Sequence, residues 1–117
     1  MTEVEIRSLR QKISKLFAEY GRVKGFLQMK GPKIDTPQSV FLVNNESPKD
    51  SFLFEVDGLN QVWNTTEKLR DTIEDIIDHH QNVDFSEVDK LIDSWLLQSH
   101  DSLADIERSI IVKTEKR

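Results

Sequence analysis

The sequence predicts a mainly α protein, built as a three- or four-helix bundle with a long N-terminal helix. Three observations lead to this fold class. Apolar residues recur at helical spacing along most of the chain, and strong capping signals precede two of these stretches. Hydrophobic residues make up 37% of the chain and fall in periodic groups, which predicts folding in spite of a charged fraction of 32%. With 117 residues, we expect a single helical-bundle domain over residues 1–117.

The first stretch carries the longest apolar repeat, at alternating steps of three and four residues. Thr2 and Glu5 form a capping-box pattern that places the start of a helix near Glu3. Gly31-Pro32 is a stop signal. The repeat, called the seam below, consists of Ile6, Leu9, Ile13, Leu16, Tyr20, Val23 and Leu27.

Two kinds of packing fit this seam. Isoleucine at the a positions with leucine at the d positions favours a parallel two-stranded coil, and hence a homodimer. Such a dimer would pair Glu5 with Arg10 and Glu19 with Lys24 of the second copy. Phe17 widens the stripe, however, and a wide stripe is typical of a helix packed inside its own bundle. The pattern favours neither arrangement over the other.

Two short apolar runs follow, over residues 40–43 and 52–56, with a polar segment between them. Their content of Phe and Val predicts a small β-hairpin within residues 39–56, lying on the helices. The alternative is a short helix capped by Thr36 with Pro37 in its first turn.

A second helix is expected from about Gly58 to His80, capped by Asp57. Its apolar side returns at helical spacing, and the other side carries carboxylates that we call the acidic face. The acidic face consists of Asp71, Glu74, Asp75 and Asp78.

The third helix has the clearest start in the chain, with Asp84 as the cap and Glu87 three residues later. Its apolar stripe shifts phase over residues 98–102. Either one long helix bends there, or a cap at Ser99 or Asp101 begins a fourth helix.

Charge is distributed unevenly. The net charge is −5, but residues 1–33 hold eight Lys and Arg against three Asp and Glu. A nucleic-acid-associated regulator would use basic side chains of the first helix. These are Arg7, Arg10, Lys12, Lys15, Arg22 and Lys24. On a helix these bases spread around the exposed arc and form no single ridge, which weakens that hypothesis. We expect the basic residues of the first helix to interact with the acidic residues in the remainder of the same protein.

Catalytic and metal-binding patterns are weak. The chain has no cysteine, and His79, His80 and His100 stand in no recognised ligand spacing. Mg²⁺-dependent all-helical nucleotide pyrophosphatases carry paired acids three residues apart, but here Glu87 is followed at that distance by Lys90. A metal-dependent all-α nucleotide hydrolase is therefore a weak alternative, and we expect no enzyme, metal or cofactor.

The functional expectation is a small non-enzymatic, regulatory protein that binds another protein and forms a homodimer by helical packing. The acidic face would serve as the patch for a basic partner, as in an inhibitor or immunity protein. The lack of cysteine and of an apolar run of membrane-spanning length predicts a cytoplasmic protein that does not enter the membrane.

Overall fold

A computed structural model describes residues 1–30, 52–80 and 82–115 of the chain. These residues form three long helices, α1 (Glu3–Lys30), α2 (Leu53–His79) and α3 (Phe85–Glu115). The N-terminal half of α1 pairs with the C-terminal half of α2 and with the N-terminal half of α3. The helices therefore run up, down and up, and α1 and α3 are parallel.

The predicted start of α1 is confirmed. The Thr2 amide donates to Oε1 of Glu5 at 2.8 Å, and the Glu5 amide donates to Oγ1 of Thr2 at 3.2 Å, which is the complete capping box. The helix ends at Lys30, and the predicted stop at Gly31-Pro32 lies outside the described residues.

The predicted β-hairpin is wrong in its second strand, since residues 53–56 form the first turn of α2. Phe52 and Phe54 would share one face in a strand, but here Phe52, just before the helix, is buried together with Glu55 and Leu59, whereas Phe54 is exposed. This three-to-four-residue spacing is helical, and it lets the segment join the helical core. The proposed first strand and the alternative helix capped by Thr36 both fall outside the described residues.

The cap predicted at Asp57 is also wrong, because this residue lies inside α2. Its carboxylate accepts a hydrogen bond from the Gln61 amide group, one turn later, at 3.2 Å. Phe52 occupies the cap position, and no side-chain hydrogen bond from a described residue caps the helix there. The helix ends at His79, within one residue of the predicted end at His80.

The predicted cap of α3 is confirmed, since Oδ1 of Asp84 accepts a hydrogen bond from the Ser86 amide at 3.2 Å. The helix then runs without a break past Ser99 and Asp101. Across the described ranges there are three helices, so the option of a fourth helix starting at either residue is wrong. Ser99 is buried at the point where the apolar stripe shifts phase. Because its side chain is small, it fits into the core there and the helix continues unbroken.

The core has two apolar clusters, one toward each end of the bundle, and each draws on all three helices. Because residues from every helix meet in both clusters, no helix can leave without exposing apolar surface to water. The fully buried members, at 2% exposure or less, are Leu9, Val23, Phe52, Leu69, Ile73, Ile92, Leu103, Ile106 and Ile110.

None of the three described helices is apolar enough over a sufficient length to cross a membrane.

Candidate functional site

The seam of α1 packs inside the bundle. Six of its seven residues are buried, and Ile6 is partly buried against the same core. Phe17 and Tyr20 extend the packing toward α2, with ring centroids 5.1 and 5.2 Å from that of Trp63. Burial raises the pKa of the Tyr20 hydroxyl. A dimer that used this seam would have to unpack the chain first.

The best-matched charged contact joins α1 to the acidic face. The Arg10 guanidinium donates two hydrogen bonds to the Glu74 carboxylate, from Nε and from an Nη atom, each 2.8 Å long. This two-point contact raises the pKa of Arg10 and lowers that of Glu74, in each case first through the side-chain hydrogen bond. The carboxylate of Asp78 also acts electrostatically on Arg10.

Two further bases of α1 pair with α3. Nζ of Lys12 donates to Asp89 at 2.6 Å and to Asp93 at 2.8 Å, and these hydrogen bonds raise the pKa of Lys12. Arg22 donates to the carboxylate of Glu107. We predicted that basic residues of the first helix interact with acidic residues of the same chain. This prediction is confirmed for Arg10, Lys12 and Arg22.

Three of the four residues that the seam predicted to pair across a dimer have charged or hydrogen-bonding partners within the chain. Glu5 caps its own helix, and Arg10 binds Glu74. Oε1 of Glu19 lies 2.7 Å from Nδ1 of His100 on α3, and this hydrogen bond raises the pKa of the imidazole. The heptad positions are thus used for contacts among α1, α2 and α3.

The other basic residues predicted to contact nucleic acid are Arg7, Lys15 and Lys24. None of them lies within 4.0 Å of a carboxylate in the part of the chain that the structure describes. Nζ of Lys24 lies 6.0 Å from the centre of the Tyr20 ring. The structure therefore leaves three of the six predicted basic residues outside the described cross-helix ion pairs.

The acidic face lies along the outer side of α2, and its members differ in their contacts. Within the described residues, Glu74 is the only member that pairs with a base from another helix. The Asp71 side chain is 73% exposed and lies 3.4 Å from Arg70, its neighbour in sequence. Asp75 is 63% exposed and lies 4.0 Å from His79 of the same helix. Asp78 is exposed as well.

A buried charged group at the opposite end of α2 was missed by the sequence analysis. Glu55 is 0% exposed, and its Oε1 accepts hydrogen bonds from Oγ of Ser109 and Nζ of Lys113, both 2.6 Å long. Among the described residues no group donates to its buried Oε2. A glutamate inside an apolar run was the only available signal, and it was assigned to a strand that does not exist.

The three histidines are the candidate metal ligands of this chain. His79 and His80 lie with ring centroids 6.5 Å apart at the end of α2, and His100 lies on α3 beside Glu19. Over the described ranges, no group of three or more His, Asp or Glu side chains is arranged to hold a metal ion.

Comparisons of the chain with family models, with curated proteins and with solved structures found no match.

Proposed function

We propose that this chain is a non-enzymatic, regulatory protein-binding module that uses the outer side of α2 to bind a basic protein, in the manner of an inhibitor or immunity protein. The proposal concerns a protein partner whose Lys and Arg side chains oppose Asp71, Asp75 and Asp78. Exposed charges of this kind speed the association of oppositely charged proteins and disfavour partners of like charge.

One observation supports the proposal above the others. The first helix supplies a base to Glu74, to Asp89 and Asp93, and to Glu107. The three aspartates of the acidic face have no such base from another helix in the described part of the chain. All three side chains are exposed, so a basic partner can reach them.

The same contacts count against the nucleic-acid alternative. Arg10, Lys12 and Arg22 already hold carboxylates, so their charge is offset before a phosphate could approach. Phosphate binding depends on concentrated positive charge. We expect no gel retardation of a DNA duplex or a single-stranded RNA at low salt, and retardation with a steep salt dependence would favour this alternative.

The proposed protein is a homodimer located in the cytoplasm. Since the seam is buried in the core, two copies would meet on another surface. We place the protein in the cytoplasm, because a chain without cysteine suits a reducing compartment.

The test compares three baits for the capture of protein from a lysate of the source cells. The first is the wild type, and the second carries Asp71→Asn, Asp75→Asn and Asp78→Asn. Glu74 is left in place because it holds Arg10. We expect a basic protein to be retained by the wild type and lost from this second bait.

The matched control bait removes the same number of charges away from α2, by Glu3→Gln, Asp101→Asn and Glu115→Gln, all at exposed positions. We expect it to retain the partner as the wild type does. Equal loss from both variant baits would show an effect of net charge alone and would contradict a site on α2. Capture of acidic or neutral proteins only would contradict the proposed partner chemistry.

A further inference from the structure

The last turns of α3 pack against the start of α2, at the end of the bundle away from the connection between these two helices. They comprise residues 107–115, which we call the terminal segment. Within this described segment Ile110 alone is buried, whereas Ile111 and Val112 are exposed. Apolar burial therefore attaches the terminal segment to the core mainly through one side chain.

A polar contact supplies a second attachment. Oγ of Ser109 and Nζ of Lys113, from residues one helical turn apart, both donate to Oε1 of Glu55 at 2.6 Å. Nζ of Lys113 also lies 5.4 Å from the centre of the Phe52 ring. Successive turns of α3 are thus attached to α2 through one buried carboxylate.

A further ion pair of the terminal segment lies at the surface. Glu107 pairs with Arg22 of α1, and both side chains are partly open to solvent. Exposed ion pairs contribute little to stability, because water competes for both charges. The contact with Glu55 is therefore the stronger of these two polar attachments.

The rest of the bundle has a core of its own. The apolar cluster that contains Leu9, Leu69 and Ile92 includes no residue of the terminal segment. In the other cluster Leu103 and Ile106 precede the terminal segment and are buried as well. Most of the core can therefore stay packed when the terminal segment leaves.

The contact with Glu55 favours the closed arrangement only as long as Lys113 is charged. Oε2 of Glu55 is buried, and no described group donates to it. A buried carboxylate oxygen without a donor is costly, whereas water supplies donors once the segment moves away. Loss of the lysine charge raises the free energy of the closed state further and leaves that of the open, hydrated state unchanged.

We propose that the contact of Glu55 with Ser109 and Lys113 is a latch, and that loss of the Lys113 charge releases the terminal segment while the rest of the bundle stays folded. Lys113 is the accessible half of the latch, since its side chain is 21% exposed and that of Glu55 is completely buried. Release is an order-to-disorder transition that uncovers Ile110 at the end of the bundle. The binding of a basic partner by the outer side of α2 does not depend on this latch.

Hydrogen exchange of the full chain, followed by mass spectrometry, tests the latch. In Lys113→Met we expect the amides of residues 107–115 to exchange at least about tenfold faster than in the wild type. Residues 66–77 should remain protected in the same variant. Lys90→Met, at an exposed position of the same helix, is the matched control and should exchange as the wild type does.

Two more variants separate the latch from a general loss of stability. Glu55→Leu, Lys113→Met leaves no buried charge to hydrate, so we expect the slow exchange of the terminal segment to return. Ser109→Ala removes one donor and keeps the lysine, and it should speed exchange of the terminal segment at least about threefold. This milder change decides the question if Lys113→Met does not fold.

Three results would overturn the latch. The first is a terminal segment that exchanges equally slowly in the wild type, Lys113→Met and Ser109→Ala. The second is a terminal segment that exchanges only together with residues 66–77, because the whole bundle would then open at once. The third is a double variant whose terminal segment exchanges as fast as that of Lys113→Met.

Discussion

Replacing Lys113 by methionine tests the buried ion pair between Glu55, near the start of α2, and Lys113 of α3. The Glu55 carboxylate is completely buried, whereas the Lys113 side chain that binds it is 21% exposed. Removal of the lysine leaves a carboxylate in the core with Ser109 as its remaining donor among the described residues. A buried charge that loses its partner is strongly destabilising, because the group is neither hydrated nor paired.

The expected loss is about 3–5 kcal/mol of unfolding free energy. That is a large part of the roughly 5–15 kcal/mol typical of a small domain, so the single variant will be marginally stable. The double variant Glu55→Leu, Lys113→Met removes both charges and keeps a similar volume. We expect it to be about as stable as the wild type, since hydrophobic replacement of a whole buried pair is often neutral or stabilising.

Urea unfolding followed by circular dichroism measures these differences, with all variants at one protein concentration because a dimer would couple stability to concentration. Lys113→Met should lower the urea midpoint by at least about 1 M. Lys90→Met is the control at an exposed position of the same helix and should change stability by less than about 0.5 kcal/mol. Equal midpoints for the two lysine variants would refute the buried pair, and so would a double variant as unstable as Lys113→Met.

Three further predictions concern a cap, the glycines and a histidine. Asp84→Ala removes the cap of α3 and should cost about 1 kcal/mol in urea unfolding, while a change near zero would show that the cap contributes nothing. Gly21 has no described atom within 4 Å of an added Cβ, so Gly21→Ala should stabilise by about 1 kcal/mol. Gly58→Ala should be about 1–3 kcal/mol less stable than Gly21→Ala, since its Cβ crowds a buried isoleucine, and equal stabilities would contradict this contact. The pKa of His100, measured by NMR titration, should lie above its ordinary value of about 6.5 and should fall in Glu19→Gln, and no change would contradict the pair.

The histidine also predicts a pH dependence of stability. Because the folded state raises the pKa of His100, its bond with Glu19 contributes fully below the unfolded pKa and is lost as pH rises through the folded pKa. The difference in unfolding free energy between wild type and Glu19→Gln should therefore be larger at pH 5.5 than at pH 9. The opposite trend would contradict the assignment.

Local chemistry allowed the helix starts at Thr2 and Asp84 to be predicted from sequence. Each cap depends on residues within three positions of one another, so its signal is complete in a short window. The seam was also visible, because burial of α1 requires an unbroken stripe. The stripe could not reveal what covers it, since Ile and Leu at these positions pack equally well against the same chain or a second copy.

Long-range contacts account for the rest. Arg10 and Glu74 are 64 residues apart, and Ser109 and Glu55 are 54 apart, so no window of sequence links them. The error over residues 52–56 has a related cause. A five-residue apolar run fits both a strand and a helix turn, and the choice is made by core residues contributed from α1 and α3.

The acidic face of α2 is the centre of the functional proposal, and a titration of the purified basic partner recovered by capture tests it most directly. Isothermal calorimetry at two salt concentrations would compare the wild type, the triple variant at Asp71, Asp75 and Asp78, and the control triple variant at Glu3, Asp101 and Glu115. We predict that the α2 variant binds at least about tenfold more weakly than the control and that its affinity depends less on salt. Equal affinities of the two triple variants would contradict the proposal.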